Sequence, residues 1–230
     1  IVHTHGWGGG SLYGVISAKL ACVPVTINGE HGAFFLKHHQ IIAQRVLDLL
    51  STMHLSVSGN LKRKIVDNLG IAEERIRVIF NGVDVVLFSG GNNTDDLRKE
   101  LSDCHGIHID DDCMVIGSIG SLKMQKNQIM LLEALNEMKG ITKNKQAVLF
   151  IGVGPDLEIL QRYVAENYMQ DRVAFMGLRD DVPRLLSIMD LVVSTSISIH
   201  EGLSNVILEA MSSGKPVIST ESVGSSEIIT

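Results

Sequence analysis

The sequence predicts an α/β protein built from two Rossmann-like, doubly wound parallel sheets that face each other across a cleft, the first of them incomplete. Three observations carry this. Short β-branched runs alternate with helical patterns along most of the 230 residues. The runs are apolar throughout instead of alternating with polar residues, as strands covered on both faces are. A polar, Gly-rich stretch, SGGNNTDD from residue 89, interrupts the alternation once. A boundary near residue 85 follows, giving domains 1–85 and 86–230.

In the first half, IVHTHGW reads as a strand, GSLYGVISAKLAC as a helix and VPVTING as a strand. A long helical stretch then runs through residue 50, followed by the strand HLSVS and the helix NLKRKIVDNLG, which ends on Gly70. RVIFNGVDVVLF is expected to be a strand followed by the turn Asn81-Gly82. From residue 113 the strands CMVIGSIG, AVLFIGVG, RVAFMG, LVVSTS and PVIST alternate with the helices NQIMLLEALNEM, DLEILQRYVAENY, DVPRLLSIM and SNVILEAMSS. The chain opens without Met in what reads as the middle of a strand, and SSEIIT stops inside what reads as a helix. A fragment cut at both ends is expected.

A formal charge of −6 without a basic run excludes nucleic acid as the main partner, because phosphate-backbone binding needs a concentrated Lys/Arg face. LKRK at 61–64 is only a local cluster. Cys22, Cys104 and Cys113 are odd in number and lack CxxC spacing, which argues against a disulfide framework and for a reducing cytosol. No apolar run approaches the ~18–20 residues of a membrane-spanning helix, and no signal-peptide pattern opens the chain. A cytoplasmic location is the expectation.

Ligands of open parallel sheets bind outside the carboxyl ends of the strands. Here those ends, among them HTHGWGGG, SIGSLKMQK, IGVGPD, MGLRDD and STSISIHEG, are rich in Gly, Ser, His and charge. In SIHEGLSNVILEAMSSGKPV, the helix is expected to start near Leu203 or Ser204 and to stop at Gly214 and Pro216. Its first free N–H groups, from Leu203 to Asn205, would form an anion site at the positive end of the helix dipole, and Gly202 permits close approach. Glu209, further along, can accept two hydrogen bonds from a ribose diol. Spacing alone leaves a second reading equally open, in which Glu209 is an exposed helix carboxylate and Glu201 stabilises the dipole.

These residues also form the E-x7-E signature, and here the chain resembles the family-4 retaining glycosyltransferases, whose fold is the two-domain GT-B arrangement. NLGIAEERIRVIFNGVD, GSLKMQKNQIMLLEAL, LFIGVGPDLEIL and GKPVISTESVGSSEII match further family segments in family order. INGEHG with NGVD is most similar to exopolysaccharide and lipid-linked sugar transferases. The resemblance implies a nucleoside diphosphate sugar donor, such as a UDP-sugar, held by the C-terminal half and a hexosyl transfer of the EC 2.4 type that retains anomeric configuration. It implies donor contacts at Gly120, Ser121, Lys126, Gly152, Gly154, Leu178, Arg179, Glu201, Gly202, Leu203, Ser204, Asn205 and Glu209, with Glu209 on the ribose, Lys126 on the diphosphate and backbone near Leu178 and Arg179 on the base. His5, Glu201 and Lys126 are the implied catalytic residues, and Glu227 matches a carboxylate of the closing segment. Glu30 and His31 are acceptor-side candidates. No obligatory cofactor or metal is implied; the acceptor is a hydroxyl, a lipid-linked glycan included, with peripheral contact at the inner face of a membrane.

Two positions depart from the family pattern. Ser121 stands where the family has Arg, and loss of such a fork costs about 1.5 to 3 kcal/mol of charge-assisted hydrogen bonding. Lys123 or Arg179 is expected to compensate in part. Val223 replaces the first glycine of a Gly-Gly pair. Ser121 keeps open a nucleotide-sugar-binding module without catalysis; a nucleotide-sugar epimerase on the same fold is the other alternative.

His3 and His5 fall on one face of the first strand, with no obvious third metal ligand beside them; a structural role is the plainer reading. GVGPDL lacks the third glycine of the dinucleotide fingerprint, where Leu157 stands. DDD at 110–112 precedes its strand, at the edge away from the expected cleft, and DCHGIHIDDDC lacks zinc-ligand spacing.

Overall fold

Every residue of Gln146–Ile151 is buried, and its side chains divide by parity between two apolar layers. Val148 and Phe150 enter one layer with Ile116, Leu131, Leu132, Leu135, Leu160 and Val164. Ala147, Leu149 and Ile151 enter the other with Leu97, Leu101, Leu185, Leu186 and Ala210. Two residues apart on a strand share a face, so a strand covered by helices on both sides must be apolar at every position.

The computed structural model describes residues 1–6, 9–32, 38–89, 94–110, 112–139, 141, 145–197 and 202–229, the side chains of residues 38–40 and 43 aside. The chain forms two units. The first comprises Ile1–Asn81 with Ser198–Ser204 and Glu221–Thr230; the second comprises Gly82–Ile197 and Asn205–Thr220.

In the first unit, β1 (Val2–His5), β2 (Thr26–Glu30), β3 (Met53–Ser56) and β4 (Ile76–Val78) form a parallel sheet in that order. The helices α1 (Gly9–Leu20), α2 (His38–Leu50) and α3 (Gly59–Leu69) connect them. α3 follows from its sequence: Leu61, Ile65 and Leu69 form its buried stripe, Ser58 caps its start by accepting from the Leu61 N–H, and Gly70 ends it in the left-handed region at φ 69°. Its first N–H groups are further satisfied by Glu227, whose carboxylate accepts from Gly59 N–H at 2.9 Å and from Asn60 N–H.

The second unit opens with the single turn α4 (Val85–Phe88), capped by Asp84, and α5 (Asp95–His105). Its strands are β5 (Met114–Ile119), β6 (Gln146–Ile151), β7 (Val173–Gly177), β8 (Leu191–Ser194) and β9 (Val217–Ser219), with α6 (Ile129–Glu137), α7 (Leu157–Glu166), α8 (Val182–Ile188) and α9 (Asn205–Ser212) between them. The parallel sheet runs β7-β6-β5-β8-β9, so strand order reverses between β5 and β8. In a doubly wound sheet that reversal is the topological switch point, the place at the carboxyl ends of the strands where such sheets bind their ligands.

Three elements differ from the sequence expectations. The helix α5 is absent from the sequence expectations: Leu97 and Leu101, four residues apart and fully buried, pack it onto the sheet, and Gly106 caps it at φ 66°. RVIFNGVDVVLF is a strand only over Ile76–Val78, and its apolar tail is helical because Asp84 accepts from the N–H groups of Val86 and Leu87. The closing segment forms a single 3₁₀ turn at Ser225–Glu227. Among the described residues no helix is long and apolar enough to cross a membrane.

Candidate functional site

At the carboxyl edge of the second sheet the loops lie on one another backbone to backbone. Beyond the strand ends, Gly120 N–H donates to Ile151 O, Leu122 N–H to Val153 O and Gly152 N–H to Gly177 O, at 2.8 to 3.0 Å. Two glycines make this approach possible. A Cβ on Gly152, at φ +139°, would stand 2.0 Å from the Gly120 carbonyl oxygen, and one on Gly154 would stand 2.1 Å from that of Leu122. Gly120, Ser121, Gly152 and Gly154 are thereby brought together.

Lys126 closes a 3₁₀ turn, Met124–Lys126, on the β5 side of the switch point. From the β8 side, Thr195 Oγ1 donates to the Lys126 carbonyl at 2.8 Å and Ile197 N–H donates to Gln125 O at 2.9 Å. Gln128 Nε2 donates to Ser121 O at 3.0 Å and fixes the other end of the loop. Thr195 and Gln128 were not among the expected site residues; the Thr195 bond reaches a main chain 69 residues away, and the Gln128 bond is a side-chain contact within the loop that no motif marks.

Gly202, Leu203 and Ser204 are buried and lead directly into α9, which starts at the exposed Asn205, within two residues of the expected start. Glu209 lies just over a turn into α9. It is half-buried, burial raises its pKa above the ordinary carboxylate range, and no described residue gives its carboxylate a hydrogen bond or ion pair. Glu201 lies outside the described residues.

Leu178, at the end of β7, is 82 % exposed. The Arg179 guanidinium is held by Asp181, through Nε and Nη2 at 2.8 Å each, and by the Glu100 carboxylate of α5. These two carboxylates hold Arg179 charged, and the hydrogen bonds from Arg179 in turn depress the Asp181 pKa. The expectation that the Arg179 side chain compensates for Ser121 is therefore corrected, while backbone contacts at Leu178 and Arg179 are unaffected. Lys123 is exposed, and its side chain has no hydrogen-bond or ion-pair partner among the described residues.

In the first unit, His5 is exposed at the end of β1, and its Nδ1 lies 2.8 Å from Nε2 of His31. A third imidazole thus stands beside His3 and His5, against the sequence expectation. Among the described residues, however, no group of three or more His, Cys, Asp or Glu is arranged to hold a metal ion. Gly202 belongs to this unit, and a Cβ there would stand 2.5 Å from the His31 carbonyl oxygen.

Glu30 is 1 % exposed, which is a correction to its place among surfaces open to an acceptor. Its Oε1 accepts from Asn28 Nδ2 at 2.9 Å, Thr4 donates to Asn28 Oδ1 at 3.0 Å, and Oε2 is buried without a partner among the described residues. Burial raises its pKa to about 8, against the Asn28 bond that lowers it. The folded state therefore holds a proton that the unfolded state releases near 4.5. This contribution to stability is full below pH 4.5 and is lost as pH rises towards 8. Glu30→Gln, a neutral mimic, is expected to abolish that loss and to be about 2 to 4 kcal/mol more stable than wild type at alkaline pH, with little difference near pH 5, as read by urea unfolding at the two pH values.

Comparison with known proteins places these features in a family. Residues 113–230, more than half of the chain, match the family model described as glycosyl transferases group 1. The chain belongs to that family. Residues 1–87 of this group 1 glycosyltransferase chain match the model described as glycosyltransferase family 4. Its relatives include the UDP-Gal:α-D-GlcNAc-diphosphoundecaprenol α-1,3-galactosyltransferase of Escherichia coli, 30% identical over 95% of this chain and 57% of the relative. The α-D-kanosaminyltransferase of Streptomyces kanamyceticus is 22% identical over 99% and 61%. Anabaena Alr3699/HepE, solved with UDP and glucose, superposes with a TM-score of 0.82 at 23% identity, over 96% of this chain and 59% of that one. The fold is that of the GT-B glycosyltransferases. The chain spans 57% to 61% of the length of these proteins.

Proposed function

We propose that the chain is the larger part of a retaining hexosyltransferase that moves a sugar from a nucleoside diphosphate to a hydroxyl acceptor, with residues 86–230 forming the donor domain and residues 1–85 the later portion of the acceptor domain. The observation that carries the reading is the switch point of the second sheet, where the Lys126 turn is pinned by its main chain on the β5 side and α9, which follows β8, carries Glu209, half-buried and with no partner for its carboxylate among the described residues. A carboxylate so placed gains two hydrogen-bond donors from a ribose diol, and a lysine so placed neutralises a diphosphate.

In the proposed reaction the acceptor oxygen forms its bond to the anomeric carbon on the face from which the diphosphate leaves. The bond from that carbon to the phosphate oxygen breaks, and its electron pair stays on the diphosphate. The acceptor proton passes to the departing phosphate oxygen. The protein contributes position and charge stabilisation. Lys126 and the N–H groups at Leu203 to Asn205 meet the growing negative charge, Glu201 and His5 meet the donor sugar, and backbone at Leu178 and Arg179 reads the base. Lys123 is the remaining cation to offset Ser121.

The UDP of the Anabaena structure supports uracil as the base, and the diphosphoundecaprenol in the name of the Escherichia coli relative supports a lipid-linked acceptor. The full-length protein, given a UDP-sugar and a lipid-linked glycan, is expected to form an α-glycoside, read by NMR of the product. Conversion of the donor sugar without any acceptor would make it an epimerase, and binding without either product would make it a binding module.

A further inference from the structure

β1 and β2 bring three imidazoles together. His5 pairs in register with Gly29, two residues before His31, so His3, His5 and Gly29 share a face of the sheet. A Cβ on Gly29 would stand 3.0 Å from His3 Nε2 and 3.2 Å from His5 Nδ1, so the glycine leaves the space in which the rings gather. Ring centroids of His3 and His5 are 4.0 Å apart, and those of His5 and His31 are 5.1 Å apart.

One hydrogen bond, at 2.8 Å between His5 Nδ1 and His31 Nε2, joins two of these rings. Burial, and then the nearby His5, lower the pKa of His31, which favours its neutral form. A hydrogen bond at one ring nitrogen decides where the other carries its proton. The neutral histidine side chain in water prefers the proton on Nε2. If His31 donates its Nε2–H, His5 accepts at Nδ1 and keeps its own proton on Nε2, so both rings hold the preferred tautomer. The reverse polarity would force both neutral rings into the less favoured one.

We propose that His31 is a positioning residue: it donates its Nε2–H to Nδ1 of His5, holding the His5 ring in place as the Nε2–H tautomer, so that His5 Nε2 is a fixed hydrogen-bond donor to a substrate oxygen. The functional half of this rests on the proposed placement of His5 at the active site. The ring of His31 then faces His5 and not the acceptor.

The test uses the full-length protein with 15N-labelled histidine, in wild-type, His31→Ala and His31→Gln forms. Long-range 15N correlations are expected to show His5 as one Nε2–H tautomer in wild type and as a tautomer mixture in His31→Ala. Turnover of His31→Ala is expected to fall about tenfold with donor KM within about twofold, the loss of one oriented hydrogen bond. His31→Gln, whose side-chain N–H can replace the donor, is expected to restore both. A wild-type His5 protonated on Nδ1, ring signals unchanged in His31→Ala, or failure of His31→Gln to recover would overturn the assignment. Full turnover by His5→Ala would overturn the placement of His5 at the active site, an outcome separate from those.

Discussion

Gly152→Ala is expected to cost the second unit more than about 3 kcal/mol of stability. Two terms combine. The backbone at this position has φ +139°, which an L side chain rarely adopts, and the added methyl would stand 2.0 Å from the Gly120 carbonyl oxygen. That oxygen belongs to main chain held by the bond from Gly120 N–H to Ile151 O, so neither partner can withdraw without breaking the loop ladder. Urea unfolding reads the change. Gly82→Ala is the control, since a Cβ at Gly82 meets nothing within 4 Å, and it is expected to be close to neutral. A Gly152→Ala protein as stable as the control would mean that the loops do not lie against each other.

Lys126→Ala is expected to reduce turnover by about 10²- to 10³-fold, the cost of removing one preorganised charge from a developing anion. The turn that carries Lys126 is held through main-chain atoms, by Thr195 Oγ1 on its own carbonyl and Ile197 N–H on that of Gln125. Truncating the side chain therefore leaves the loop in place, and loss of activity without loss of stability is the expected pair of results. Affinity for the unreacted donor is expected to fall less than turnover, because the charge on the diphosphate grows as the bond breaks. Steady-state kinetics with a thermal unfolding curve separates the two. Turnover within about twofold of wild type would remove Lys126 from the reaction.

How much of this could be read from the sequence depended on how local the cause was. The strand β6 was legible because the unbroken apolar run from Ala147 to Ile151 requires cover on both faces. The helix α3 was legible because its stripe and its Gly70 cap lie within a dozen residues. The helix α5 was missed because only Leu97 and Leu101 anchor it among polar neighbours, and what orders them is the distant sheet. Of the site, the glycines and Lys126 were visible as residue types at strand ends. Their partners were not, since Thr195 reaches Lys126 across 69 residues and Glu100 reaches Arg179 across 79. The same holds for Glu227, which the sequence marked only as a match to a carboxylate of the closing segment; its bond to α3 spans 168 residues. Glu30 and His31, adjacent in sequence, have opposite fates because Glu30 ends β2 and is buried beside Asn28, whereas His31 lies one residue beyond the strand and is exposed.

The two glutamates that end and begin the α9 region have distinct proposed tasks, ribose for Glu209 and the sugar-bearing end for Glu201. Isothermal titration of uridine diphosphate into the full-length wild type, Glu209→Ala and Glu201→Ala proteins tests this division and the nucleotide site together. The account predicts binding by wild type, affinity lowered about 10- to 100-fold in Glu209→Ala through loss of two charge-assisted hydrogen bonds, and affinity close to wild type in Glu201→Ala, whose defect appears with the sugar-bearing donor. Equal affinities for uridine diphosphate in wild type and Glu209→Ala would contradict it.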